Sequence, residues 1–399
     1  MLLRDLIYHT PLRRAVAMWV VLAVAVSVKL ALFSNDYSVY RMFAAGARHW
    51  WADQSLYASY TITEGLDGYR YSPTFAVAFT PLACLPRPLG PIFWGLVSIA
   101  LLGWATHVLA RDVLPGGWPL TREAWLLALV LVGSTVGIWS LQSNAFLTAS
   151  IVLGLAATLR QRWWTAALFL AVPVFIKLWP MALVLLLMVY WPRQLIGRFA
   201  AVCLILAAIP FLTRPPHIVV WQYHEWYVSL TGPLQARWPG YRDAWTIWEE
   251  FCKLVGCESD RPLYHHVYTA LSLVTALGVL GWCLWQRRRL ESTGHLLTLI
   301  LSMWASWQLL FGPATEQLTY GLIAPSASWA VLVSVTERRA RWLTWIAWAM
   351  LALLPAGDIE RAVLGIFSGA KTLLPLGVAL FVAWLVWHER GAASRHAAE

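Results

Sequence analysis

Residues 15–33 read AVAMWVVLAVAVSVKLALF, and the class of this protein can be inferred from them. Only Ser27 and Lys29 interrupt an apolar run that is close to the roughly 20 residues a helix needs to cross a bilayer. Comparable runs fill most of the 399 residues, of which 59% are hydrophobic and 13% charged, with a mean hydropathy of +0.60. Soluble domains have about 25% charged residues. The composition therefore excludes a soluble protein and predicts an all-α polytopic membrane protein, because helices satisfy their own backbone hydrogen bonds in lipid.

The net charge of +10 comes from arginines in short clusters between the apolar runs. Such clusters set the orientation of a membrane protein and do not indicate a nucleic-acid partner. The 27 tryptophans, many at predicted helix ends, fit an interfacial aromatic belt, and stacking on sugar rings or prenyl chains is an alternative near the outer loops. The five cysteines form no metal motif or disulfide framework, although Cys252 and Cys257 share one polar loop in which a local disulfide is one of two alternatives.

The arginine clusters also predict the topology. Arg4, Arg13 and Arg14 precede the first apolar run, which indicates a cytoplasmic N-terminus and an uncleaved signal anchor. About twelve spans, with both termini cytoplasmic, put every strong arginine cluster on the cytoplasmic side. The expected spans lie near residues 15–33, 90–110, 123–139, 145–159, 164–176, 180–191, 199–212, 265–285, 293–311, 318–335, 342–356 and 370–388.

We expect a single integral domain in the cell membrane over residues 1–399. Within it, 1–263 are predicted to form a catalytic core with outer loops 34–72 and 213–263, and 264–399 the C-terminal helices. The pattern of 39–51 predicts a short interfacial helix. Prolines bound 73–86 at a length too short to span a bilayer, which indicates a re-entrant or interfacial segment on the outer side.

Several polar residues fall at the outer helix ends, where an ionisable group is costly and is by default a functional candidate. Asp36 lies just beyond the first span, and we interpret it as a catalytic base; the alternative is a loop carboxylate that pairs with Arg41. Lys177 lies in an apolar hairpin ahead of Pro180. It either snorkels to the interface or binds a phosphate, and the residues alone leave both interpretations open.

Four other polar positions also have structural alternatives. Gln142 and Asn144 lie at a turn, where they either cap helices or bind a ligand. Glu316 follows a Gly-Pro break, and a carboxylate in the first turn of the next helix is favourable without any further function. His224 lies among aromatic residues with no spacing typical of a metal site, so the pattern favours a surface helix with aromatic contacts, and a substrate contact by His224 is the alternative.

Taken in order, short motifs along the chain resemble the GT-C class of glycosyltransferases, and most closely glycosyltransferase family 87. The resemblance covers about residues 15–325 and depends on the order of the motifs, since no single one is specific. The motifs are Asn35-Asp36-Tyr37 with Tyr40 and Ala44-Ala45-Gly46; Ser55-Leu56-Tyr57; Tyr69-Arg70-Tyr71-Ser72-Pro73 with Pro81-Leu82 and Leu85-Pro86; Gln142-Ser143-Asn144; Phe175-Ile176-Lys177-Leu178-Trp179-Pro180 after Arg160-Gln161-Arg162-Trp163; and Gly312-Pro313-Ala314-Thr315-Glu316-Gln317. Family members often have histidine after the acidic residue of the last motif, whereas this chain has Gln317 and Leu318.

The resemblance implies a GT-C-type bundle of about 12 transmembrane helices whose extracytoplasmic loops hold short interfacial helices. It also implies transfer of a hexose, with mannose the expected sugar, from a polyprenyl-phosphate donor to a lipid or glycan acceptor on the extracytoplasmic face, with inversion. Asp36 would be the general base, and Lys177 and Arg70 would bind the donor phosphate. The expected sugar or acceptor ligands are Tyr37, Tyr71, Gln142, Asn144, Glu316, Gln317 and His224. Because only one phosphate ester reacts, no metal or other cofactor is expected.

Three other classes of function remain as alternatives. A transporter or flippase of lipid-linked sugars would use the same cations and aromatic residues without a base, although no internal repeat typical of inverted-repeat transporters stands out. A GT-C transferase with a different donor, such as arabinose, aminoarabinose or an entire oligosaccharide, is the second. A purely structural membrane protein is the third, and it poorly explains a lysine and several carboxamides at outer helix ends.

Overall fold

The computed structural model of this protein describes residues 9–33, 38–58, 69–231, 240–256, 261–290, 292–313, 315–357, 359, 362 and 371–396. The principal helices of these residues, in chain order, are α1 Thr10–Leu32, α2 Tyr40–Trp51, α3 Pro73–Ala83, α4 Leu89–Val108, α5 Leu120–Trp139, α6 Asn144–Leu159, α7 Trp163–Ile176, α8 Met181–Tyr190, α9 Pro192–Ala208, α10 Pro216–Thr231, α11 Ala244–Val255, α12 Arg261–Arg287, α13 Thr293–Phe311, α14 Ala324–Glu337, α15 Arg341–Leu353 and α16 Leu373–His396. A π-helical turn, Leu109–Val113, follows α4, and 3₁₀ turns occupy Ile209–Leu212 after α9 and Gln317–Ile323 before α14.

The helices confirm an all-α, multi-pass membrane protein. Within the described part of the chain, eight helices are long and apolar enough to cross a membrane, by length and composition. They are Thr10–Leu32, Leu89–Val113, Leu120–Trp139, Pro192–Leu212, His266–Arg287, Thr293–Phe311, Gln317–Glu337 and Leu373–Arg390.

Each of the twelve expected spans coincides with a helix, but four of these helices are shorter than a bilayer requires. They are α6, α7, α8 and α15, with 16, 14, 10 and 13 residues. At 1.5 Å per residue α8 is about 15 Å long, half the roughly 30 Å of a hydrocarbon core. The count of twelve therefore stays a prediction.

The two short helical segments expected between the first and second spans are confirmed as helices, and their position at the outer membrane interface stays a prediction. The segment predicted over 39–51 forms α2, and the proline-bounded segment forms the 11-residue α3. Ser72 caps α3, because its side chain accepts a hydrogen bond from the backbone N–H of Phe75. Pro73 occupies the first turn of the helix, where no intrahelical bond is lost through its missing N–H.

The chain divides into two compact units that interleave along the sequence. The first, which we call the hairpin unit, comprises residues 19–105 and 137–238. The second, the C-terminal unit, comprises 1–18, 106–136 and 239–399. The prediction of a single integral domain stays a prediction.

Aromatic packing around Phe43 of α2 forms a core of the hairpin unit. The Phe43 side chain is fully buried, and its ring lies edge-on to those of Tyr71, Phe75 and Phe79 at centroid distances of 4.9, 5.2 and 5.2 Å. Trp94 of α4 completes the cluster at 5.9 Å from Phe43. Edge-on aromatic pairs are favourable beyond their buried area. These contacts fix α2 and α3 against α4.

Helices α7 and α8 form the predicted hairpin. The rings of Trp163, at the start of α7, and Trp191, just after α8, lie 6.2 Å apart. The guanidinium of Arg198, in α9, lies 5.9 Å from the ring centroid of Trp164 at the same end. Lys177 ends α7 with an extended backbone (φ −136°, ψ 135°), and Pro180 follows without an N–H to continue the helix. The turn that contains Lys177 is therefore at the opposite end of the hairpin from these tryptophans.

The C-terminal unit packs its helices through hydrogen bonds as well as apolar contacts. Tyr268 of α12 donates to the carbonyl of Leu310 in α13 at 3.0 Å, and Ser272 donates to that of Phe311 at 2.9 Å. Cys252 in α11 is disulfide-bonded, so the disulfide alternative is confirmed for this residue. Cys257 lies outside the described residues.

Candidate active site

The turn of the α7–α8 hairpin places Lys177 against the start of α6. The Lys177 Nζ donates to Asn144 Oδ1 at 2.9 Å, a bond between residues 33 positions apart. Asn144 is 3% exposed, whereas Lys177 is half-buried. Because the amide of Asn144 carries no charge, this bond orients the ammonium group without neutralising it.

Backbone contacts hold the turn that precedes α6. Leu141 adopts a left-handed conformation with φ of +55°, which is uncommon for a residue with a branched side chain. Trp94 Nε1 donates to the Leu141 carbonyl at 3.1 Å, and the N–H of Val39 donates to the carbonyl of Ser140 at 3.1 Å. The turn is thus fixed from two sides.

Two buried side-chain oxygens accompany Asn144 in this turn. Gln142 is 8% exposed and Ser143 fully buried. Gln142 Oε1 and Ser143 Oγ have no hydrogen-bond partner among the residues that the structure describes. Buried polar atoms usually have partners, so this turn presents two unsatisfied acceptors beside the residue that holds Lys177.

The residues before α3 contact the same hairpin. Ser72 Oγ donates to the carbonyl of Phe175, two residues before Lys177. Tyr71 is buried, and its carbonyl accepts a hydrogen bond from Tyr57 Oη at 2.7 Å. Burial raises the pKa of Tyr57 well above its usual range, so its hydroxyl stays protonated and donates. The structure therefore brings the Arg70–Tyr71 motif to the turn that contains Lys177.

Helix α10 docks on these residues through its buried face. Gln222 donates to the carbonyl of Gln54 at 2.7 Å and accepts from the N–H of Leu56 at 3.1 Å. Trp226 Nε1 donates to the carbonyl of Arg70 at 3.4 Å, and the side chain of Arg70 itself is exposed. The His224 side chain is also exposed. The surface-helix alternative for this segment is thus confirmed, and a substrate contact by His224 stays a prediction.

Glu316 and Gln317 belong to the C-terminal unit. The Glu316 carboxylate caps the 3₁₀ turn by accepting from the N–H of Thr319, and Thr319 Oγ1 accepts from the N–H of Glu316 at 3.3 Å. Tyr241 forms an antiparallel bridge with Glu316. The helix-capping alternative for Glu316 is realised, and a role of either residue in binding sugar or acceptor stays a prediction.

Asp36 and Tyr37 lie outside the described residues. Ser38, the first described residue after them, lines a cavity together with Phe33, the last described residue before them. The role of Asp36 as the base stays a prediction.

Some residues that build this site carry no local signal in the sequence. Ser72 and Tyr57 hold Tyr71 and the hairpin, and Gln222 holds 54–56, through bonds that join distant parts of the chain. A helix-capping serine and a helical glutamine are common residues, so only their positions in the fold distinguish them. The order of the motifs in the sequence was the one signal that grouped Ser72 and Tyr57 with the others.

A sequence model of glycosyltransferase family 87 matches residues 69–313, more than half of the chain. The chain belongs to glycosyltransferase family 87. It is therefore a membrane glycosyltransferase, and the family predicted from the motifs is confirmed. The matched range contains Arg70, Tyr71, Gln142, Asn144, Lys177 and His224, whereas Asp36, Tyr37, Glu316 and Gln317 lie outside it.

Two proteins of similar sequence share one name. The polyprenol-phosphate-mannose-dependent alpha-(1-2)-phosphatidylinositol mannoside mannosyltransferase of Mycolicibacterium smegmatis is 27% identical over 362 residues, which cover 80% of this chain and 74% of the relative. The protein of the same name from Mycobacterium tuberculosis is 25% identical over 342 residues, covering 78% and 72%.

Among solved structures, ArnT from Cupriavidus metallidurans, crystallised with undecaprenyl phosphate, aligns with a TM-score of 0.46 and 14% sequence identity. The alignment covers 93% of this chain and 76% of ArnT.

Proposed function

We propose that this protein transfers mannose from a polyprenyl-phosphate donor to a hydroxyl group of a lipid or glycan acceptor at the extracytoplasmic face. Two relatives at 27% and 25% identity are named for a polyprenol-phosphate-mannose donor, which supports this donor. The observation that carries the proposal is the Lys177–Asn144 bond of 2.9 Å, which holds a cation at a turn beside two buried oxygens that have no hydrogen-bond partner among the described residues.

In the proposed reaction, polyprenyl phosphate is the leaving group. Negative charge develops on the phosphate as its bond to the sugar breaks, and a positioned ammonium stabilises that charge in the transition state. Lys177 supplies this cation, and the exposed side chain of Arg70, next to the buried Tyr71, supplies a second one. No metal ion is needed, because the leaving group is a single phosphate ester.

Asp36 is the proposed general base that takes the proton of the acceptor hydroxyl as this oxygen attacks the anomeric carbon. Attack in line with the departing phosphate converts a β-linked donor into an α-linked product. Gln142 and Asn144 are proposed to hold sugar hydroxyls, since their amides offer both donors and acceptors. Contacts by Tyr37, Tyr71, His224, Glu316 and Gln317 are further proposals for the sugar or the acceptor.

The orientation is proposed from the arginine clusters, with both termini cytoplasmic in the cell membrane. The structure supports this assignment within the hairpin unit. Arg198 and the tryptophans lie at one end of the α7–α8 hairpin, and Lys177 lies at the other.

The test is transfer of radiolabelled mannose from polyprenyl-phosphate mannose in membranes that contain the full chain. The acceptor is phosphatidylinositol mannoside, because two relatives are named for it. We expect transfer by the wild type, and a loss of about 10²–10⁴-fold in the Asp36→Asn variant with donor binding retained. Asp112→Asn, which changes a carboxylate predicted on the cytoplasmic side, is the matched control and should leave transfer unchanged.

Three outcomes would contradict the proposal. Incorporation from a non-mannose donor alone would exclude mannose as the sugar. Full turnover by Asp36→Asn would exclude this base, and lipid-linked sugar crossing the membrane without transfer would favour a flippase.

A further inference from the structure

Three arginines line a cavity in the hairpin unit that the proposed chemistry does not use. Arg41 and Arg48 project from α2, and Arg87 comes from the loop between α3 and α4. Arg41 and Arg48 are seven residues apart, close to two full helical turns, so both side chains leave α2 on one face. The cavity therefore receives two cations from one helix and a third from the opposite wall.

No carboxylate among the described residues pairs with these cations. None of the three arginines forms an ion pair or a side-chain hydrogen bond within the part of the chain that the structure describes. By contrast Arg214, in the same unit, pairs with Asp53 at 2.9 Å and bonds the carbonyl of Trp50 at 3.3 Å. Arg41 is half-buried, and Arg48 and Arg87 are exposed. Three uncompensated guanidinium groups around one cavity favour an anion there.

The floor of the cavity is fixed. Tyr40 is 7% exposed, and its hydroxyl donates to the carbonyl of Leu82 at 2.7 Å. Gly90 lies directly against this hydroxyl and leaves no room there for a side chain. The charges of Arg48 and Arg87 act on the pKa of Tyr40 in the direction opposite to its burial, which raises it. Both guanidinium groups are thus near one anchored point.

Apart from Ser38, the remaining walls are apolar. They are formed by Leu30, Phe33, Ala44, Ala83, Leu85, Pro88 and Pro91. Leu30 and Phe33 come from the end of the first span, so this wall continues the apolar surface of a helix that is predicted to face lipid. An anion bound here meets cations on one side and hydrocarbon on the other. A phospholipid fits both sides, because its phosphate is joined to acyl chains. A soluble anion would gain no favourable contact from the apolar wall.

We propose that the cavity of Arg41, Arg48 and Arg87 binds the phosphate of a phospholipid acceptor. The assignment of the bound phospholipid as the acceptor rests on the proposed function. The cavity also includes Phe33 and Ser38, which flank the segment containing Asp36 in the sequence. Guanidinium groups bind phosphate oxygens in pairs, which suits a phosphodiester at this position. Neither Lys177 nor Arg70 lines this cavity, so acceptor and donor phosphates are assigned to different cations.

The first experiment measures lipid retention by native mass spectrometry of the purified full-length protein in detergent. The probes are phosphatidylinositol, phosphatidylcholine and inorganic phosphate. We expect the wild type to retain phosphatidylinositol. The Arg41→Gln/Arg48→Gln/Arg87→Gln variant should retain about tenfold less of this lipid. The Arg14→Gln/Arg162→Gln/Arg193→Gln variant changes three exposed arginines outside this cavity by the same charge and should behave as the wild type.

Equal retention by the two glutamine variants would overturn the proposal, as would binding of inorganic phosphate in preference to the lipid. A triple arginine-to-lysine variant at positions 41, 48 and 87 keeps the charge and should restore part of the retention. Melting temperatures of all variants show whether they are folded. If the glutamine variant unfolds, the single variants replace it in the same measurement.

The second experiment separates acceptor from donor. In the mannose transfer assay, the glutamine variant should raise the KM for phosphatidylinositol mannoside about tenfold and leave the KM for the donor unchanged. A rise in the donor KM alone would assign the cavity to the donor and overturn the proposal. Absence of transfer in the wild type would contradict the proposed function, while the retention experiment would still decide whether the arginines bind a phospholipid.

Discussion

Two polar turns at helix ends, one in each unit, show how differently similar sequence patterns are used. In the hairpin unit, the side chains of Asn144 and Lys177 bond each other across 33 positions, and Ser72 reaches Phe175 across 103. In the C-terminal unit, the carboxylate of Glu316 caps the 3₁₀ turn that begins at the next residue, and its partner Thr319 is three positions away. The first turn is held by residues from distant parts of the chain, whereas in the second turn Glu316 finds its partner within the same turn.

The difference bears on function. A cap explains a carboxylate at a helix start without a ligand, since side-chain acceptors there bond orphan N–H groups. No local rule explains a lysine that is held by an asparagine from another helix. We therefore expect substitutions in the turn of the hairpin unit to lower activity more than substitutions in the turn of the C-terminal unit.

The largest effect is expected at Lys177. Lys177→Met removes the cation proposed to stabilise the departing phosphate, so kcat/KM for polyprenyl-phosphate mannose should fall about 10²–10³-fold. Lys177→Arg keeps the charge and should retain most of the activity. Lys253→Met is the matched control, because Lys253 is an exposed lysine that pairs with Glu250 at 2.6 Å in the other unit. A comparable loss in the control would remove the contrast between the two turns.

Asn144→Ala should lower kcat/KM by about tenfold, because the ammonium of Lys177 loses the bond that orients it. The check is a double-mutant cycle with Lys177→Met. Once the lysine is absent, Asn144→Ala should cost less than it does in the wild type, because only its proposed contact with the sugar remains to be lost, so the two effects should be non-additive. Additive effects would show that Asn144 acts independently of Lys177, for example on the sugar alone.

Glu316 should affect stability more than activity. Glu316→Ala removes the cap and should lower the free energy of unfolding by about 1 kcal/mol, seen as a lower melting temperature. Glu316→Ser retains a capping oxygen and should restore the melting temperature, with kcat/KM within about threefold of the wild type in both variants. Loss of activity in Glu316→Ser at an unchanged melting temperature would instead support the proposed contact of Glu316 with sugar or acceptor.

Removal of divalent cations should have the smallest effect. Because Lys177 and Arg70 are proposed to stabilise the phosphate, excess EDTA in the transfer assay should leave the rate unchanged. Loss of transfer that is restored by added magnesium would mean that the lysine is not the main source of positive charge.

The sequence predicted much of the fold because hydrophobic length and arginine position are local properties. The runs around 15–33 and 293–311, the short helix at 39–51 and the hairpin before Pro180 could all be read from periodicity and breaker residues. The number of spans could not be read in this way. Helices of 10 to 16 residues, such as α8 and α6, are too short to cross a bilayer alone and would need packing against neighbouring helices. Helix length read from the sequence does not show whether such packing exists.

A helical membrane protein, with motifs in an order typical of family 87, could be inferred from the amino-acid sequence without a structure. The sequence also made Lys177 a candidate, since a cation in an apolar hairpin is costly, but it left snorkelling and phosphate binding both open. The three-dimensional fold was needed to show that Asn144 holds Lys177, that Ser72 joins α3 to the same turn, and that three arginines line one cavity. Those contacts join residues dozens of positions apart, and their free energy depends on packing that no short window of sequence contains.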